Sequence, residues 1–153
     1  MSNDDDLNKD VLPASKEGQK SSGTLLQIED DPANANLVEE LISRRSELKI
    51  ITATKGYQGI EMARSFRPDL ILMDIHLSDI NGFEVLRILA KDPATAHIPV
   101  IAVSSDAFPS QIAEGLAAGF FRYLTKPYRI KVFMATIDLA LEHVKAGDTT
   151  KSN

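Results

Sequence analysis

The stretch Pro68-Asp69-Leu70-Ile71-Leu72-Met73-Asp74 runs from a helix breaker through four consecutive apolar residues into an aspartate. An unbroken apolar run of this length, without polar alternation, is the pattern of a short strand covered on both faces, as in a parallel sheet packed between helices. An aspartate directly after such a strand stands at its carboxyl end, the edge along which open α/β sheets bind ligands.

Moving outward, comparable apolar runs at residues 25–28, 48–53, 100–103 and 123–124 bring the expected strands to five. The segments between them carry helical periods. Ala33, Leu37 and Leu41 recur beside Asn34, Val38 and Ile42, with Asp31 as the cap and Pro32 in the first turn. Ile60, Ala63 and Phe66 mark a second helix that ends before Pro68, and Phe83, Leu86, Leu89 and Ala90 a third that is opened by Asn81-Gly82. Ile112 and Leu116 lie in a fourth, closed near Gly119; Phe133, Ile137, Ala140, Leu141 and Val144 form the stripe of a fifth that runs out at Gly147. The alternation predicts an α/β fold, a (βα)₅ doubly wound five-stranded parallel sheet. Right-handed crossovers then bring every strand's carboxyl end to one edge.

The 153 residues, 43% apolar and 25% charged, fit one compact domain. A tail over 1–23, with the acidic run Asp4-Asp5-Asp6 and few bulky apolar groups, is expected to be disordered, as is a second tail over 147–153; the domain occupies 24–146. Val11-Leu12-Pro13 interrupts the first tail and is read as part of it rather than as a docking peptide. A net charge of −5 with scattered basic residues argues against a nucleic-acid-binding face. There is no cysteine, so disulfides, thiolate metal sites and thiol nucleophiles are excluded. With neither a signal core nor an apolar stretch of membrane-spanning length, a soluble cytoplasmic protein without a membrane partner is expected.

Polar groups follow the apolar runs at four strand ends: Glu29 and Asp30, Asp74, Ser104 and Ser105, and Lys126 with Pro127. Carboxylates gathered at one edge repel, and a hard divalent cation with oxygen ligands relieves that; few protein ligands favour Mg²⁺ over Ca²⁺. An ammonium and a hydroxyl beside them suit an anion, and an aspartate in such a pocket can act as the nucleophile in phosphoryl transfer.

These residues resemble the receiver domains of two-component response regulators, over residues 25–144. The likeness rests on Leu25-Leu26-Gln27-Ile28-Glu29-Asp30-Asp31-Pro32, the 68–77 stretch ending Ile75-His76-Leu77, Asn81-Gly82-Phe83-Glu84-Val85-Leu86, Ile98-Pro99-Val100-Ile101-Ala102-Val103-Ser104, and Gly119-Phe120-Phe121-Arg122-Tyr123-Leu124-Thr125-Lys126-Pro127. It implies the flavodoxin-like strand order 2-1-3-4-5 and a phosphorelay role in which Asp74 accepts a phosphoryl group from a histidine kinase or histidine phosphotransfer protein. Glu29, Asp30, Asp74 and the backbone carbonyl of His76 would hold Mg²⁺. Ser104 would hydrogen-bond the phosphoryl group, Lys126 would pair with it beside a cis bond to Pro127, and Tyr123 would turn inward as the switch. The output would be altered contacts with a downstream effector protein, and the resemblance allows a homodimer. On this reading the chain is no enzyme: it catalyses only its own phosphotransfer and a slow autodephosphorylation.

Two departures stand out. Ser78 takes a position that is usually proline in the family, so its loop is expected to be less rigid, and His76 and Asp106 occupy positions that influence attack by water on the acyl phosphate.

Each residue also has a plainer reading. Asp74 alone could cap a loop, Tyr123 could be an ordinary half-buried strand aromatic, and Ser105 is small and permissive. Asp31 reads as a helix cap outside the metal's inner shell. His76 tempts a zinc reading, but His97 and His143 lack ligand spacing. The rival from another class is a haloacid-dehalogenase-like phosphatase with Asp74 as nucleophile; such enzymes place an acid two residues on, where this chain has His76. No Gly-x-Gly-x-x-Gly or Walker loop follows the first strand. A binding-only receiver is opposed by the complete acidic cluster with Lys126. The Asp31-Pro32-Ala33-Asn34 and 119–127 variants also look like receivers of hybrid sensor histidine kinases. A phosphorelay intermediate and a detached receiver therefore stand beside the free-standing regulator, which is preferred because Met1 and a tail precede the domain.

Overall fold

A computed structural model describes residues 22–106 and 108–152. The strands are β1 (Gly23–Ile28), β2 (Leu48–Ala53), β3 (Leu70–Asp74), β4 (Val100–Ser104) and β5 (Arg122–Thr125). The helices between and after them are α1 (Pro32–Ser43), α2 (Gly56–Phe66), α3 (Gly82–Lys91), α4 (Pro109–Ala118) and α5 (Ile130–Ser152). All strand pairs are parallel, in the order β2-β1-β3-β4-β5, as the sequence implied. The order reverses between β1 and β3, so the crevice for a ligand lies beyond their carboxyl ends.

Strand side chains alternate between two cores. Leu26, Ile28, Ile71, Met73, Val100 and Ala102 face α2 and α3, meeting Ile60, Ala63, Val85 and Leu89 together with Phe120. Leu25, Leu70, Leu72, Ile101, Val103 and Leu124 face α1 and α5, meeting Val38, Leu41, Phe133 and Ile137. Burial on both faces explains why β3 and β4 are apolar throughout until their last residues.

Helix starts follow local chemistry. Asp31 accepts from Ala33 N and Pro32 opens α1; Asn81 accepts from Phe83 N at α3. The N-terminus of α2 has no side-chain cap of its own. Asp79, in the loop after β3, supplies one, accepting from Gly56 N at 2.8 Å and Tyr57 N at 3.1 Å. At Gly82 an added Cβ would fall 2.8 Å from Ile75 Cα and 3.1 Å from Asp74 O, so α3 starts against the backbone of the β3 loop only because glycine stands there. Gly119 ends α4 at φ 118, a left-handed cap. That helix is thinly attached, with Gly115 its one buried residue, set against Tyr123.

Several boundaries differ from expectation. β1 begins at Gly23, within the segment read as tail, and the rest of that tail, Val11-Leu12-Pro13 included, lies outside the described residues. β3 and β4 each extend one residue further, taking Asp74 and Ser104 into the sheet. The last helix continues to Ser152, past the stop read at Gly147. An interior glycine weakens a helix by about 1 kcal/mol but leaves its N–H in the ladder, and no proline follows to break it. Among the described residues, no helix is long and apolar enough to cross a membrane.

Candidate functional site

The carboxyl edge assembles the acidic cluster. Glu29 and Asp74 are buried, at 4% and 7% exposure, while Asp30 is half-buried. One oxygen from each of the three lies within 4.8 Å of the others, and among the described residues they are the only group of three or more side chains that could share a metal ion. Of the described residues, Lys126 is the one cation set among them. Its Nζ is 3.2 Å from Glu29 Oε1 and 3.5 Å from Asp74 Oδ2. It arrives from the end of β5 through a cis Lys126–Pro127 bond, and its backbone N–H donates to Ser104 O at 2.9 Å, which fixes that turn to β4.

Ser104 is fully enclosed at 1% exposure, and its Oγ accepts from Asp106 N at 3.0 Å. Tyr123 is half-buried, and its hydroxyl donates to Asp106 O at 3.0 Å. The backbone N–H of His76 donates to Asp74 Oδ1 at 3.0 Å, while its exposed ring turns away to Asp106, Nε2 to Oδ2 3.0 Å. Every residue singled out for the site is therefore at this edge, with His76 joined to it through its backbone. Asp31 is turned outward onto Ala33 N and the Asn34 amide, in the capping role expected of it. Of the other histidines, His143 stacks on Phe121 with centroids 5.0 Å apart, away from the cluster.

Among the described residues, three carboxylates face a single ammonium. Burial and then the charge of Asp74 push the Glu29 carboxyl above its usual range, against the pull of Lys126 and the Asp31 N–H. Like charges about 4 Å apart near a protein surface repel by about 4 kcal/mol, which one lysine shared between two of them offsets only in part. The uncompensated charge and all-oxygen donor set fit a small hard divalent cation.

Sequence reasoning missed Tyr128. Two residues past Lys126, its half-buried ring packs on Phe133 with centroids 5.1 Å apart. Burial, then the charges of Glu29 and Asp74, hold its hydroxyl protonated well above the usual tyrosine range. The available signal was an aromatic directly after Lys126-Pro127. The loop of Ser78, expected to be less rigid, is tied to the start of α2: Lys55 Nζ donates to Ser78 Oγ at 3.0 Å beside the Asp79 cap.

The response regulator receiver domain matches residues 25–138 of this chain. The chain belongs to the response regulator receiver family. This receiver is similar to the polar-differentiation response regulator DivK of Brucella anthropi, 36% identical over 114 residues that cover 74% of this chain and 92% of the relative. Its fold superposes on the signal receiver domain of a putative LuxO repressor protein from Vibrio parahaemolyticus with TM-score 0.78, at 21% identity over 84% of this chain and 97% of the other. A signal receiver domain of a histidine kinase from Syntrophus aciditrophicus gives TM-score 0.73 at 25% identity, covering 81% of this chain and 93% of its own. The receiver is thus a two-component signalling module, and its family and strand order do not favour the haloacid-dehalogenase alternative.

Proposed function

We propose that this receiver takes a phosphoryl group onto Asp74 from a histidine kinase or histidine phosphotransfer protein and thereby changes its contacts with a downstream effector. The observation that carries the reading is Lys126 Nζ between Glu29 Oε1 and Asp74 Oδ2, an ammonium held where a phosphoryl group on Asp74 would have to go. A carboxylate oxygen of Asp74 attacks phosphorus, a new O–P bond forms, the P–N bond to the donor histidine breaks, and the imidazole leaves with the electron pair. The His76 N–H fixes Asp74 by one oxygen. Lys126 turns from carboxylate to phosphoryl oxygens, and Ser104 rotates to donate its hydroxyl to them, which favours the phosphorylated form by charge-assisted hydrogen bonds.

Glu29, Asp30, Asp74 and the backbone carbonyl of His76 would hold Mg²⁺, and bound magnesium supplies positive charge that offsets the carboxylates and the incoming phosphoryl group. On this reading the chain works in the cytoplasm as a phosphoacceptor rather than as an enzyme with external turnover.

Incubation with acetyl phosphate and Mg²⁺, read by intact mass, should add one phosphoryl group to the native chain and none to Asp74→Asn. A native chain that stays unmodified under conditions that preserve acyl phosphates would refute the reading.

A further inference from the structure

Asp106 is held from three sides. Its N–H donates to Ser104 Oγ, its carbonyl accepts the Tyr123 hydroxyl, and its carboxylate meets His76 Nε2, each at 3.0 Å. An ionised carboxylate has no hydrogen to give, so Nε2 carries the proton in this contact. The same histidine holds Asp74 through its backbone N–H. Asp74 and Val103 are register partners on adjacent strands, so His76 and Asp106, just beyond them in sequence, bridge the two loops immediately outside the acidic cluster.

We propose that the His76–Asp106 contact is a latch: it keeps Asp106 held against the end of β4 and Tyr123 anchored to it in the unphosphorylated chain, and a phosphoryl group on Asp74 opens it. The second half rests on Asp74 being the acceptor. Charge sets the direction. The acyl phosphate carries about two negative charges where the Asp74 carboxylate carried one, so it competes for the His76 Nε2–H and repels the Asp106 carboxylate. When Ser104 turns its hydroxyl to the phosphoryl oxygens, the Asp106 N–H loses its acceptor as well. Two of the three holds on Asp106 therefore go in one event, and the Tyr123 hydroxyl is left on a released Asp106. The pair is well placed to yield, since its side chains are 58% and 41% exposed and such contacts are weak.

The test is NMR of the full chain with ring-labelled tyrosines, on wild type, His76→Ala and Asp106→Ala, before and after acetyl phosphate with Mg²⁺, with adducts verified by mass. Phosphorylation should move the Tyr123 ring signals of the wild type. Each variant should move them in the same direction without any phosphoryl group, and phosphorylating a variant should add less than it adds to the wild type. Tyr123 signals that match wild type in both unphosphorylated variants would overturn the latch, even where mass shows the adduct. Absence of an adduct on wild type would overturn the Asp74 reading and the opening step with it, while the unphosphorylated comparison still decides whether the pair anchors Tyr123.

Discussion

Lys126 Nζ stands 3.2 Å from Glu29 Oε1, a contact between the ends of β5 and β1 across 97 residues of sequence. The ammonium is largely enclosed, at 17% exposure, and offsets part of an acidic cluster that would otherwise be more strongly self-repelling. Lys126→Met keeps the length of the side chain and removes the charge. The expected outcome is a fall of at least about tenfold in the rate of phosphoryl uptake from acetyl phosphate, since loss of one preorganised donor raises a barrier by about 1.4 kcal/mol or more. Time-resolved intact mass checks it; an unchanged rate would remove Lys126 from the phosphoryl-binding role.

Glu29 gives the site a pH dependence with a definite sign. Its folded-state pKa is raised above the ordinary 4.5 by burial and by Asp74. A group raised on folding contributes stability that is fully present below its unfolded pKa and is lost as pH rises through the folded value. Metal-free protein should therefore lose melting temperature as pH climbs from 4.5 through the elevated pKa of Glu29, and Glu29→Gln should flatten that loss. Mg²⁺ should reverse the trend by favouring the ionised carboxylate, with the largest rise in Tm at neutral pH. Thermal melts across pH with EDTA or Mg²⁺ measure both, and identical curves with and without metal would argue against the cluster as a cation site.

Much of this arrangement was legible because the signals were local. An apolar run ending in Asp74, another ending in Ser104, and Lys126 before Pro127 each announce a strand end, and parallel topology then brings the ends together without further information. What stayed hidden depends on side chains meeting across loops. Nothing near Asp79 in sequence says that it caps α2, and nothing near Asp106 says that His76 and Tyr123 both reach it. The end of α5 differs from expectation for another reason: Gly147 is only a weak helix former and does not stop the helix.

Arg45 and Asp138 illustrate the same non-local kind of contact in the scaffold. The guanidinium, 13% exposed, donates to both Asp138 oxygens at 3.0 and 2.8 Å and to Glu47 at 2.8 Å, binding the α1–β2 connection to α5. Bidentate geometry and partial burial raise such a pair above the ordinary surface value. Arg45→Ala is expected to lower unfolding stability by about 1–3 kcal/mol. In a double-mutant cycle with Asp138→Ala the losses should be less than additive in urea melts.

Asp79→Ala tests the borrowed cap. Burial tends to raise this carboxyl, but donation from the backbone of Gly56, Tyr57, Asp79 and Ile80 outweighs that and holds its pKa below 3.8. Its stabilisation is therefore present above the unfolded pKa and lost as pH falls through the lowered one. Removing it should reduce stability by about 1 kcal/mol at neutral pH and speed amide exchange in the first turn of α2, while leaving α3 unaffected. Equal loss of protection in both helices would indicate a general destabilisation instead of a lost cap.

Gly82→Ala separates helix propensity from close packing. In an exposed helix the change would add about 1 kcal/mol of stability. Here the new methyl would sit 2.8 Å from Ile75 Cα and 3.1 Å from Asp74 O, and those atoms are backbone that no rotamer change can clear. The Gly82 N–H also donates to Ile75 O at 2.9 Å, so relief by moving α3 would stretch that bond and shift the segment that follows Asp74. The sign should therefore reverse, with a loss of about 1–3 kcal/mol in urea melts. Phosphoryl uptake should slow along with it, because the displaced backbone includes the His76 N–H that orients the Asp74 carboxylate. Stability that rises on this substitution would show that the β3 loop yields freely, and the backbone positioning of Asp74 would then lose its support.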